Sequence, residues 1–128
     1  MGMQKQSRER LSRFRQSLLL LKDQPGQFFP IFLDNQPLVK GTVYPLRRRC
    51  GKPTCSCRKG ELHETQVLSA SVGGRTRLWS VSAERLEDLC VLTQRYQRFR
   101  SARADFVKRY TQMVKIIDAI ERLRRVKP

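Results

Sequence analysis

Three thiols and one imidazole fall within fourteen residues: Cys50, Cys55, Cys57 and His63, in the pattern C-x4-C-x-C-x5-H. Thiolate sulfur and imidazole nitrogen are ligands that zinc favours, and a Cys3His set fills all four positions of a closed tetrahedral site. With no position left for water or substrate, such a site is structural rather than catalytic. Gly51, Pro53 and Gly60 frame the ligands. Glycine and proline suit a tight loop that turns its side chains inward, and short spacings lower the closure entropy of the chelate. Two other readings compete: unligated loop cysteines beside an incidental histidine, and an iron–sulfur cluster, whose usual all-cysteine ligation would enlist Cys90. Cys90 stands beside Leu86 and Leu89 in a helical pattern, where a small buried hydrophobe is the simpler role. Structural Zn2+ is therefore the cofactor expected, because zinc binding at small sites contributes about 10 to 16 kcal/mol, more than anything else open to such a loop.

Cations crowd the same stretch. Arg47, Arg48, Arg49, Lys52, Arg58 and Lys59 flank the cysteines, and Arg75 and Arg77 follow near Trp79. A metal that fixes a loop allows that loop to present cations to phosphates, so these residues are candidate nucleic-acid contacts. A second group, including Arg95, Arg98, Arg100, Arg103, Lys108 and Arg109, lies in a long helical pattern, and Arg95 and Arg98 join the candidate contacts. Arg122, Arg124, Arg125 and Lys127 read as a solvated face. Trp79, between Leu78 and Val81, reads as core.

Catalysis needs positioned acids, bases or nucleophiles. Glu61, Glu64, Glu84, Glu87 and Asp88 form no recognisable motif, and His63 is already assigned as a ligand. A thiol activated by nearby cations would then lack a base. The chain reads as a non-enzyme.

The elements that must hold these groups follow from periodicity. Leu11, Phe14, Leu18 and Leu21 recur at helical spacing, so residues 4–22 form a first helix that stops at Asp23-Gln24-Pro25-Gly26. Residues 27–37, with Phe28, Phe29, Ile31, Phe32 and Leu33 between prolines, read as a hydrophobic connector without regular structure. Residues 39–46 carry β-branched and aromatic side chains and read as a strand. Residues 65–72 and 75–81 flank Gly73-Gly74, a hairpin turn, since both central positions of a type I′ turn need positive φ. That hairpin puts Leu68, Ala70 and Val72 on one face with Arg75, Arg77 and Trp79, and Ser69, Ser71, Thr76 and Leu78 on the other.

From Ser82 to Lys127 there is neither glycine nor proline, and Ser82 and Glu84 supply a cap and a first-turn acid. An apolar stripe runs through Leu86, Leu89, Tyr96, Phe99, Ala102, Phe106, Tyr110, Met113, Ile117, Ile120 and Leu123. A helix of that length reaches roughly 60 Å. Either it breaks near residues 101–103 and folds back, or it packs on the first helix and on a second chain; the favoured reading is a homodimer or a larger protein partner held by this helix.

The whole is expected to be one α+β domain over residues 1–128: helix 4–22, a zinc-stapled loop and small antiparallel sheet over 38–81, and a long helix or helical hairpin over 82–125. Lys and Arg number 27 against 11 acids, a net charge of +16 in 128 residues, with 19 arginines to 8 lysines. Guanidinium groups bind phosphate and guanine edges bidentately and stack on bases. That balance points to an anionic partner, DNA before RNA. No run approaches the roughly 20 apolar residues that cross a bilayer, and no secretory signal is read at the N-terminus. With cysteines used as ligands, a cytoplasmic protein is expected.

Arg49-Cys50-Gly51-Lys52-Pro53-Thr54-Cys55-Ser56-Cys57, followed by Gly60-Glu61-Leu62-His63, resembles an uncharacterised family of small prokaryotic proteins. That family carries CGKPxCxC, then GExH, a hairpin with a glycine turn, and a helix with a YxxFR-like segment, matched here by Tyr96-Gln97-Arg98-Phe99-Arg100. The likeness runs over about residues 46–100 and supports the ligand assignment. Its members look like passengers of mobile elements, which implies an accessory role in transposition or gene regulation. After His63 the family tends to Gly-Pro and a tyrosine-rich strand, whereas this chain has Glu64-Thr65-Gln66-Val67. The rival reading is a protein-interaction module in which the zinc loop is only a staple and the helix docks a transposase, a regulator or a ribonucleoprotein. A third reading, a ribosome-associated basic protein, shares the charge.

Overall fold

A computed structural model describes residues 4–49, 60 and 62–128. The fold class is α+β: helix α1 (Lys5–Leu21), a 3-10 turn (Gln24–Phe28), a single-turn helix α2 (Phe29–Phe32), strands β1 (Thr42–Arg48), β2 (His63–Val72) and β3 (Arg75–Ser80), and helix α3 (Ala83–Arg124). Two compact units divide the chain, Asn35–Arg98 and the combination of Met1–Asp34 with Phe99–Pro128.

In the first unit the three strands form an antiparallel sheet in the order β1-β2-β3. Val43, Leu68 and Trp79 are cross-strand partners, as are Ala70 with Arg77 and Val72 with Arg75. These pairings reproduce the two hairpin faces expected from the glycine turn. Gly73 and Gly74 sit at φ 59° and 79°, where a side chain would be strained. Pro45 lies inside β1 opposite Gln66. β1 is an edge strand, the place in a sheet where proline is tolerated, since N–H groups on its outer side make no ladder bond.

β1 begins three residues later than the β-branched run suggests. The Val39 amide donates to the Leu92 carbonyl of α3 at 3.1 Å rather than to the sheet, and Gly41 then turns the chain at φ 148°. A Cβ there would stand 2.8 Å from both Leu68 Cδ1 and the Ser69 carbonyl oxygen, so only glycine fits. Gln97 Nε2 donates to the Gly41 carbonyl at 3.3 Å. Among the described residues of this unit Val67 and Leu89 are the buried large apolar ones, and Thr93 is buried with its hydroxyl donating to the Leu89 carbonyl at 2.8 Å.

In the second unit Leu11, Phe14, Leu18 and Leu21 of α1 are half-buried, while Leu19 and Leu20 are exposed. The sequence's apolar face is thus the inner one. Residues 27–37 are not the irregular connector expected. Pro25 and Pro30 each occupy the first turn of a short helical element, where a locked φ and a missing N–H favour helix initiation. Phe29 and Phe32 meet Phe106 edge-to-face at centroid distances of 5.8 and 5.6 Å, and Phe32 meets Phe99 at 5.4 Å. Such pairs add about 0.5–1.5 kcal/mol each beyond area burial.

α3 runs unbroken for 42 residues. Its inward row from Phe99 is Ala102, Phe106, Arg109, Met113, Ile116, Ile120 and Leu123, all buried or half-buried, alternating steps of three and four as a heptad seam does. Tyr110 and Ile117, expected in the stripe, are 48% and 50% exposed. Arg109 and Ile116 hold those places instead, since continuing the three-four alternation from Phe106 lands on them, and the aliphatic stem of an arginine can line a seam. Arg109 Nε is buried with no hydrogen-bond partner among the described residues. Near the helix end Arg125 hydrogen-bonds Glu121 at 2.7 Å. That bond holds the Glu121 carboxyl below its ordinary range and raises the Arg125 guanidinium. No helix among the described residues is long and apolar enough to cross a membrane.

Candidate functional site

Cys50, Cys55 and Cys57 lie outside the described residues, and so do Lys52, Arg58 and Lys59. His63, the described member of the ligand set, is the first residue of β2 and is exposed. Strand pairing places it opposite Arg48, which lies two residues before Cys50 in the chain. The loop between β1 and β2 is therefore closed at its base by an antiparallel pair, and closure entropy is met by the sheet before any ligand binds. A donor set of three thiolates and an imidazole on a loop so anchored fits zinc. Among the described residues themselves, no group of three or more His, Cys, Asp or Glu side chains is placed to hold a metal. Cys90 is a half-buried free thiol on α3, and it lines a small cavity with Val43 and Thr93. No second thiol lies there among the described residues.

The candidate contacts fall into separate places. Arg47 and Arg48 end β1, Arg49 follows, and all three are exposed. Arg47 Nε pairs with Glu64 Oε2 at 3.3 Å, so one cation of this end is partly neutralised. Arg75 and Arg77 are exposed on β3 and have no acidic partner among the described residues. They are not beside Arg47: Arg47 is level with Glu64 on β2 and Arg75 with Val72, eight residues or about 26 Å apart along the strand. The two basic groups, adjacent in the sequence argument, mark opposite ends of one sheet. On α3, Arg98 is exposed, but Arg95 is half-buried and donates from Nη1 to the Pro37 carbonyl at 3.1 Å, fastening the segment before β1.

Trp79 is not core. It is 42% exposed, as is every residue of β3 to a similar degree or more, because β3 is the other edge strand. An apolar groove of about 540 Å³ opens beside it. Leu68, Ala70, Val72 and Trp79 from one sheet face, with Leu89 from α3, form its walls. Lys40 and Arg85 stand at its lining, and among the described residues no acid does.

A family model described as "Domain of unknown function (DUF6788)" matches residues 5–89. The chain belongs to this family. No curated protein and no solved structure matches the chain. The DUF6788 match takes in α1, both short helical turns, the whole sheet and the first turns of α3. It begins well before residue 46 and ends before Tyr96–Arg100, so the helical segment that suggested a resemblance lies beyond the DUF6788 region, as does the heptad seam of α3. The groove beside Trp79 lies wholly within it. Two residues of this DUF6788 chain escaped the sequence reading: Gly41, whose signal was a lone glycine preceding a strand, and Trp79, whose apolar neighbours Leu78 and Val81 suggested burial that an edge strand does not provide.

Proposed function

We propose that this chain is a small, basic, zinc-binding protein of the cytoplasm that binds nucleic acid, DNA before RNA, and acts by binding rather than catalysis. The observation that carries the reading is the sheet's unneutralised charge: Arg48, Arg49, Arg75 and Arg77 are exposed without acidic partners among the described residues, on a chain of net charge +16. Cations on paired strands are held in place, and rigid cations gain more from phosphate than mobile ones. Zinc at Cys50, Cys55, Cys57 and His63 would extend the same order into the loop that bears Lys52, Arg58 and Lys59. An accessory role in transposition or gene regulation is the process this reading favours, on the resemblance to element-borne proteins.

A second reading rests on α3. Val107, Tyr110, Val114 and Ile117 are each about half exposed and follow steps of three, four and three, an apolar row suited to a partner helix. Joint replacement of Arg47, Arg48, Arg49, Arg58 and Lys59 by alanine separates the two. Loss of gel shift with DNA is expected from the first reading. Unchanged DNA binding by that variant would exclude the β1 end and its loop as the contact, and capture of a protein partner with no DNA binding by the unsubstituted chain would move the function to the helix.

A further inference from the structure

Every second residue of β3 from Arg75 faces one way, so Arg75, Arg77 and Trp79 form a row at intervals of about 6.6 Å along a strand. That row shares its sheet face with Leu68, Ala70 and Val72, the floor of the 540 Å³ groove. Ala70, opposite Arg77, is too small to obstruct it. Two more cations, Lys40 and Arg85, line the groove, and no carboxylate does among the described residues. Trp79 is 42% exposed and Val72 46%, so an apolar surface stands in water with Lys40 and Arg85 on its lining and Arg75 and Arg77 on the same strand face.

A duplex would engage the cations only. Its bases are already stacked on one another, and extruding one costs a few kcal/mol. A duplex therefore leaves the indole and the groove floor wet. An acidic peptide could match the charge, but carboxylate side chains offer no flat apolar partner for the ring. A single strand supplies both features at once: an unpaired base with a free face and a phosphate on each side. Resting on the nucleic-acid reading above, we infer that the β3 face is a single-strand site, with a base stacked on Trp79 in the groove and the adjoining phosphates held by Arg75 and Arg77 on one side and Lys40 and Arg85 on the other.

Trp79 is the chain's one tryptophan, so its emission reports this site alone. The full chain is titrated with deoxythymidylate and uridylate oligomers, with a duplex of equal length and with poly-glutamate. Both single strands are expected to quench the emission and the duplex to leave it nearly unchanged. Trp79→Leu, which keeps apolar bulk and removes the ring, should weaken oligomer binding about tenfold in fluorescence anisotropy, while Trp79→Phe retains most of it, since one stacked base contributes about that much. Circular dichroism of both variants checks that the sheet persists. Duplex affinity should change less than about twofold in either variant, because only phosphate contacts serve it. Oligomer binding that leaves Trp79 emission and the Trp79→Leu affinity untouched would overturn the single-strand site while sparing nucleic-acid binding. Equal quenching by poly-glutamate would overturn it in favour of an acidic peptide. Absence of binding to single strand and duplex alike would defeat both.

Discussion

The two ends of the sheet hold their cations by different means. At the hairpin end, Gly73 and Gly74 complete the turn with backbone geometry alone, at φ 59° and 79°, and Arg75 and Arg77 follow on a strand with no acidic partner among the described residues. At the other end β1 and β2 continue as a two-stranded ribbon to Arg48 and His63, beyond the last pairing of β3 at Val67. There Glu64 offsets Arg47, and the connection carries the cysteines. A turn of two residues is set by its own backbone geometry, whereas a connection of more than a dozen leaves more closure entropy to be met by the strand pairing at its base and by any bound metal. The proposed metal ligands thus fall in or at the end of the longer of the two connections.

Replacing Cys55 and Cys57 by serine breaks the comparison most severely. Zinc, expected at about one ion per chain by elemental analysis, should be lost along with apparent binding free energy on the order of 10–16 kcal/mol. Limited proteolysis should then cut between β1 and β2, while hydrogen exchange of the β2–β3 hairpin stays slow. A metal-free chain with an intact, protease-resistant loop would remove the distinction. Next in size, Gly41→Ala drives a Cβ into a backbone oxygen at 2.8 Å and should cost about 2–3 kcal/mol in chemical denaturation. Gly73→Ala meets open space and should cost only the left-handed backbone strain, about 1–2 kcal/mol. Reversal of that order would show the hairpin turn to be the more constrained.

Smaller still, Arg47→Ala removes an exposed ion pair and should cost under about 1 kcal/mol, less in high salt. Outside the sheet, Glu121 provides the least effect. Its carboxyl is held low by the hydrogen bond from Arg125, so the folded chain favours the charged form. The resulting stabilisation is present above the unfolded carboxyl's ordinary range and is lost as pH falls through the lower folded value. Circular dichroism should show slight fraying of the α3 terminus below that point, absent in Glu121→Gln.

Much of the fold was legible because its signals are local. The glycine pair predicted the β2–β3 register, and Leu11, Phe14, Leu18 and Leu21 predicted the inner face of α1. Where tertiary context decides, the reading failed. Residues 27–37 read as irregular because proline often breaks helices, yet Pro25 and Pro30 stand at helix starts. Arg109 takes a seam position that Tyr110 would have claimed by hydropathy, since the three-four alternation fixes the phase. Trp79 reads as core from its neighbours although its strand is an edge, a property that no local pattern carries. For the candidate site, the sequence names the cations but not that strand pairing separates them into two groups.

The central claim, that the exposed cations of the sheet bind nucleic-acid phosphates, is tested most directly by titrating the full chain with DNA across a series of salt concentrations. The account predicts that log affinity falls linearly with log salt, by about 0.9 per phosphate engaged on duplex and about 0.7 on single strand, and that Arg75→Ala with Arg77→Ala makes the slope shallower by about two contacts. Binding that is absent, or that does not respond to salt, would contradict it.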